Sequence, residues 1–167
     1  MEDPLFRRIR QHAQQRLNLS AETETSERLS ALKEYMRLEN EMLQRYHAKG
    51  DGGRRVAEAR TIVMDVLLET LFRMAVERYE AAHGKLPAPV SLLALGGYGR
   101  RELCPHSDID LMFLFPRKSK GKNLRPLQES LTDDILYPLW DLGMKIGHST
   151  RNVREALEEA KKDVQTK

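Results

Sequence analysis

Residues 108–116 read DIDLMFLFP, and their strict alternation dictates what the rest of the chain must supply. Side chains of a strand alternate between faces, so Ile109, Leu111, Phe113 and Phe115 form one wholly apolar face. Asp108, Asp110, Met112 and Leu114 form the other. A strand with four large apolar side chains on one face needs helices or a second sheet to cover them.

Helical cover is available upstream, because the apolar spacing to about residue 83 is helical. DPLFRRIRQHAQQRL places Leu5, Ile9, Ala13 and Leu17 every fourth position behind an Asp3–Pro4 start. A second helix is predicted to about Ala48, with Leu29, Leu32, Met36, Leu43 and Tyr46 near one stripe, ending at Gly50, Asp51, Gly52 and Gly53. The third, through residue 83, carries the widest apolar face (Ala59, Val63, Val66, Leu67, Leu71, Met74) and is expected to be the best buried. HGKLPAP then breaks helix. From Val90 the pattern becomes strand, turn, strand, with VSLLALGG as the first apolar run.

Residues 123–142 return to helical spacing, and Pro138 is expected to kink or end that helix. Met144 to Ser149 reads as a further strand. Asn152 with Glu155 three residues later matches a capping box opening a last helix. The predicted class is α+β, with a helical N-terminal region over 1–86 packed on a small sheet unit over 87–167.

A chain of 167 residues, 40% hydrophobic and 32% charged, suits one core. Its net charge of +3 is too small to argue for nucleic acid, and no aromatic-basic stripe accompanies it. One cysteine, Cys104, rules out an intramolecular disulfide within these residues and points to the cytoplasm. Without a histidine paired to it at a nucleophile's spacing, it reads as a small packing residue of the turn. Apolar runs such as Leu111–Phe115 fall far short of the roughly 20 residues that span a bilayer, so no membrane anchor is expected.

The chemistry is concentrated in GGYGRRELCPHSDIDLMFLF, residues 96–115. Asp108 and Asp110 are neighbours at the start of a strand and repel each other, so a cation or a hydrogen-bond network must compensate. Divalent metal is the economical answer, and carboxylate oxygens suit Mg²⁺ or Mn²⁺ bound together with substrate phosphates. Gly96, Gly97 and Gly99 let backbone amides approach an anion, Arg100 and Arg101 add charge, and Ser107 offers one more donor. Each fragment alone reads first as a glycine turn or a solvated strand start. Together, in this order, they fit phosphoryl or nucleotidyl transfer.

LLALGGYGRRELCPHSDIDLMFL closely resembles the nucleotidyltransferase signature of bacterial protein-PII uridylyltransferases, members of the DNA polymerase β nucleotidyltransferase superfamily. With GGRRVAEARTIVMDVLL before it and ILYPLWDLGMKIGHSTRNVREALEEAKKD after it, the resemblance covers about residues 50–163. The first 50 residues resemble that family's helical N-terminal region. The resemblance implies a small mixed sheet of the polymerase-β-like fold and transfer of UMP from UTP to a tyrosine of the signalling protein PII, with Mg²⁺ or Mn²⁺. It implies that Asp108 and Asp110 are catalytic metal ligands, that Gly96 and Gly97 shape the triphosphate site, and that Arg100 and Ser107 contact phosphate. Glu102 either orients Arg100 or serves as a local salt bridge or turn cap.

The resemblance also implies a third carboxylate, on a strand expected just past the helix matching VREALEEAKKD, where this sequence reaches Lys167. Asp133, Asp134, Glu155, Glu158 and Glu159 lie in predicted helices and Asp141 at a helix end, so none replaces it. The HD and ACT domains of that family have no counterpart in these residues either. The expectation is a fragment or truncated relative with little or no activity of its own. The competing readings are a non-catalytic nucleotide-binding or protein-interaction module, and a nucleotidyltransferase with another acceptor. His148 reads as a structural hydrogen-bonding residue ahead of a nucleotide contact. Tyr137 and Trp140, among Leu136, Leu139 and Leu142, read as core or helix-packing residues ahead of base-stacking platforms. Arg117, Lys118, Lys120 and Lys122 read as a solvated loop.

Overall fold

Asp3 accepts a hydrogen bond from the Leu5 amide at 2.8 Å and so caps α1 (Pro4–Arg16), as its position before Pro4 predicts. This computed structural model describes residues 3–117 and 123–165; Lys118, Lys120 and Lys122 of the basic loop lie outside them. Leu5, Ile9 and Ala13 are buried, facing α3 (Gly53–His83). Helix α2 (Thr25–Ala48) packs on the same helix. With eleven buried residues, from Ala59 to Tyr79, α3 is the central strut of the molecule.

The stripe of α2 differs from its sequence reading. Leu29 and Tyr46 are half-buried, whereas Arg28, Tyr35, Glu39 and Met42 are buried beside Leu32, Met36 and Leu43. The two charged members are buried because they are paired. Arg28 Nη1 stands 3.0 Å from Asp134 Oδ1, which Arg78 also approaches at 3.2 Å. Glu39 Oε1 meets His12 Nδ1 at 2.8 Å and Arg16 Nη1 at 3.2 Å, tying α1 to α2.

Three strands form a mixed sheet in the order β1 (Ser91–Ala94), β2 (Ile109–Phe115), β3 (Ile146–Asn152). β1 pairs antiparallel to β2, setting Ala94 opposite Leu111, and β3 pairs parallel to β2, setting Gly147 opposite Asp110. The alternation of β2 is realised as read: Ile109, Leu111, Phe113 and Phe115 are buried, Asp110 is exposed, and Met112 and Leu114 are half-buried. The buried face joins the helical residues in one continuous core. β3 lies two residues later than its predicted start and runs on to Asn152. There the capping box forms reciprocally, Asn152 N to Glu155 Oε2 at 2.9 Å and Glu155 N to Asn152 Oδ1 at 3.0 Å, and opens α7 (Val153–Gln165).

Between β1 and β2 the glycine segment is a single helical turn, α4 (Gly96–Gly99), rather than an irregular loop. Between β2 and β3 the chain forms α5 (Arg125–Leu131), a π turn over Thr132–Leu136, and α6 (Tyr137–Asp141). Pro138 does not end the helix. It stands in the first turn of α6, and the wider π turn before it accommodates the ring and missing amide that a regular helix would not.

Tyr137 and Trp140 are not core: they are 53% and 38% exposed. Leu136 and Leu139 take the inward positions, and a residue one step further lies about 100° around the helix, facing solvent. Among the described residues no helix is long and apolar enough to cross a membrane.

Candidate functional site

The candidate residues gather at the open face of the sheet, and the geometry there begins at the end of β1. The Leu95 amide donates to Asp110 O at 2.9 Å, the last backbone bond joining β1 to β2. Gly96 then turns the chain with φ +57, and α4 closes with the Gly99 amide on Leu95 O at 2.9 Å. Gly99 is required by space, since a Cβ there would lie 2.7 Å from Ala94 O. The amides of Gly96, Gly97 and Tyr98 stand at the start of this turn, where helical N–H groups have no intrahelical acceptor. They can therefore serve an anion.

The loop back to β2 is pinned at three points: the Glu102 amide donates to Gly97 O, the Ser107 amide to Cys104 O, and Ile109 N to Lys145 O. Arg101 and His106 sit at φ 61 and 67, conformations that make this loop turn sharply. Leu103 is buried as its anchor. Cys104, read from sequence as a packing residue, is exposed; its neighbour Leu103 fills that role.

Asp108 is exposed just before β2 and Asp110 is exposed within it. The Asp110 carboxylate is held in a cradle of two glycines. A Cβ on Gly96 would stand 3.0 Å from Oδ2, and one on Gly147, across the parallel strand pair, would collide with Oδ1. Gly147 was missed in the sequence reading. Its signal is positional: a glycine inside a strand marks close approach of another group, and only the β2–β3 register says which.

Arg100 Nε lies 3.2 Å from Glu102 Oε2, and both side chains are about two-thirds exposed. Glu102 thus holds Arg100 beside the turn through a pair weak enough to exchange for a phosphate. Arg101 and Ser107 are exposed on the same loop.

Tyr98 points away from the open face and is buried; its hydroxyl donates to Asp65 Oδ1 on α3 at 2.8 Å. Burial, then the charges of Asp65 and Glu69, raise its phenol far above the ordinary tyrosine value, so it remains a donor. This bond fastens the glycine turn to the central helix. The sequence reading did not include it.

Other candidates are engaged elsewhere. Asp134 pairs with Arg28, Glu155 closes the capping box, Glu158 meets Arg154 at 2.8 Å, and Glu159 meets Arg151 at 3.4 Å. The His148 side chain shows no hydrogen bond among the described residues; its ring meets Trp140 edge-on at 5.9 Å, and Trp140 meets Tyr137 likewise at 5.3 Å. Among the described residues no three of His, Cys, Asp and Glu converge as metal ligands. The donor set at Asp108 and Asp110 is therefore two hard carboxylates beside a glycine turn. That set fits a Mg²⁺-type ion, which takes one or two protein carboxylates and completes its shell with substrate oxygens and water.

Two curated relatives are bifunctional uridylyltransferase/uridylyl-removing enzymes. That of Rhodospirillum rubrum is 38% identical over 117 residues, 70% of this chain. That of Cereibacter sphaeroides is 37% identical over 120 residues, 71% of the chain. The chain spans 12% of the length of each. No solved structure matches it. A family described as "Putative nucleotidyltransferase DUF294" matches residues 38–155, a span running from within α2 to the start of α7 and enclosing the whole sheet and the glycine turn. The chain belongs to this DUF294 nucleotidyltransferase family.

Proposed function

We propose that this chain is the nucleotidyltransferase unit of a protein-uridylylating enzyme, moving UMP from UTP to a tyrosine hydroxyl of PII. The observation that carries the reading is the pairing of an anion-ready glycine turn with the cradled Asp110 carboxylate, next to Asp108, on one open sheet face. The likeness to uridylyltransferases supplies the nucleotide and the acceptor.

In this reaction the acceptor oxygen bonds to the α-phosphorus of UTP, and the bond from that phosphorus to the bridging oxygen breaks. Pyrophosphate leaves with the electron pair, and the phenolic proton is released. The Gly96 and Gly97 amides hold phosphate oxygens, Arg100 exchanges Glu102 for a phosphate, and Ser107 donates from the loop. Asp108 and Asp110 would hold Mg²⁺ or Mn²⁺, which would supply neutralisation of triphosphate charge. Gly147 keeps the Asp110 carboxylate in place.

The test is calorimetric titration of UTP with and without Mg²⁺ into the native chain, Asp108→Ala and Asp110→Ala. Metal is expected to tighten UTP binding to the native chain only. If metal makes no difference, the nucleotide reading falls. The two-carboxylate donor set favours one second reading, a module that binds nucleotide without turning it over. Incubation with UTP, Mg²⁺ and PII separates them: UMP transfer above the uncatalysed background, however slow, selects the first, and binding with none selects the second.

A further inference from the structure

On the helix side of the sheet, opposite the face that carries Asp110, a cavity of 380 Å³ lies between α3 and β1. Its floor is apolar, formed by Leu68, Phe72, Leu92 and Leu111, and its acids are Asp65 and Glu69, one helical turn apart on α3. Among the described residues no lysine or arginine lines it. Like charges four residues apart on a helix are mildly destabilising, and the pair has no cation partner among the described residues. Elsewhere on α3, Glu58 pairs with Arg54 and Glu77 with Arg73. Asp65 spends Oδ1 on the Tyr98 hydroxyl, leaving Oδ2, and Glu69 is exposed.

Among the described residues β1 is an edge strand, and four of its own or adjoining residues, Val90, Ser91, Leu92 and Ala94, line the same cavity. An unpaired edge accepts an added strand, whose alternate side chains then fall on the helix side. A lysine or arginine side chain suits the space, with its aliphatic stem on the apolar floor and its charged head between the two carboxylates.

We propose that this cavity is a docking site for a basic side chain carried by an extended polypeptide segment that pairs with the free edge of β1. The same α4 turn that bears the Gly96 and Gly97 amides carries Tyr98 into the cavity wall, so a protein docked here lies beside the nucleotide site. The site requires no nucleotide, and its test uses none.

The probe is a fluorescein-labelled Thr-Val-Lys-Val-Thr peptide titrated into the full chain by anisotropy, with amide NMR shifts to locate it. The comparators replace its lysine by glutamate or norleucine, or N-methylate its backbone. Binding is expected for the lysine peptide, with shifts at Ser91–Ala94. Glu69→Gln and Asp65→Asn are each expected to weaken it about tenfold, while thermal melts report the fold of each variant. The glutamate and N-methyl peptides are expected not to bind. Absence of binding, equal binding of the glutamate peptide, or unchanged affinity in both variants overturns the proposal. Equal affinity for N-acetyl-lysine amide alone overturns the strand-pairing that defines the partner as a polypeptide.

Discussion

Gly147→Ala separates the position of one carboxylate from the stability of the sheet. The added Cβ collides with Asp110 Oδ1, yet lies 3.5 Å from its Cγ and 4.0 Å from its Cα, so the carboxylate must rotate while both strands stay in register. An off-rotamer side chain costs about 0.5–1.5 kcal/mol, and alanine recovers roughly 0.5–1 kcal/mol of backbone entropy over glycine. Net stability should therefore change by less than about 1 kcal/mol in urea unfolding. Ligand geometry is less forgiving: a misplacement on the order of 1 Å at a reacting centre costs roughly a hundredfold. Mg²⁺-dependent UTP affinity should fall about 10- to 100-fold by calorimetry, or ~1.4–2.8 kcal/mol. The loss should disappear in an Asp110→Asn background, where the carboxylate is already gone. Native-like UTP affinity in Gly147→Ala, or a loss that persists in the Asp110→Asn background, would refute the cradle.

Gly99→Ala drives a methyl into the Ala94 carbonyl, a backbone group that cannot swing aside, and should cost about 1–3 kcal/mol in urea unfolding. Asp134→Ala strips the buried Arg28 of its partner and should destabilise by about 3–5 kcal/mol, a loss that Arg28→Ala in the same chain does not double. Tyr98→Phe removes the hydrogen bond to Asp65 and should cost about 1 kcal/mol, read by thermal unfolding. The Arg55 guanidinium, and then the Leu5 amide, hold the Asp3 carboxyl below its ordinary value. Its stabilisation is therefore complete above the unfolded-state value and is lost as pH falls through the lower folded-state value. Asp3→Asn should flatten the acid side of the stability–pH profile.

The strands were legible because β2 has a period of two and a large apolar load, which leave one register of inside and outside. The helices of the N-terminal half were legible for the same reason at a period of 3.6. Tyr137 and Trp140 depart from their sequence reading because adjacency to leucines in the chain is not a shared helix face. A single step along α6 carries a side chain from Leu136 and Leu139 out to solvent. Arg28 and Glu39 were invisible as core residues because their partners, Asp134 and His12, lie 106 and 27 residues away. Asp108, Asp110 and the glycines declared themselves as a local motif. Gly147 and the Tyr98–Asp65 bond did not, since each depends on pairing between distant segments.

Position and adaptability are divided between the two acids. Asp110 belongs to a strand paired on both sides, with its carbonyl bound by the Leu95 amide and its side chain enclosed by Gly96 and Gly147. Asp108 belongs to an exposed loop that passes through two left-handed residues, Arg101 and His106, and carries Arg100 and Ser107 on its surface. A carboxylate on a paired strand supplies a fixed point, whereas groups on such a loop adjust to a ligand at small cost. Tyr98 is where the loop's origin meets the rigid part, because its hydroxyl fixes α4 to α3. A basic side chain drawn to the free Oδ2 of Asp65 acts on the same carboxylate whose Oδ1 holds α4 in place. Docking at the β1 edge and phosphate binding at the glycine turn thus share one short helix, and a partner at the first can alter the second without touching it.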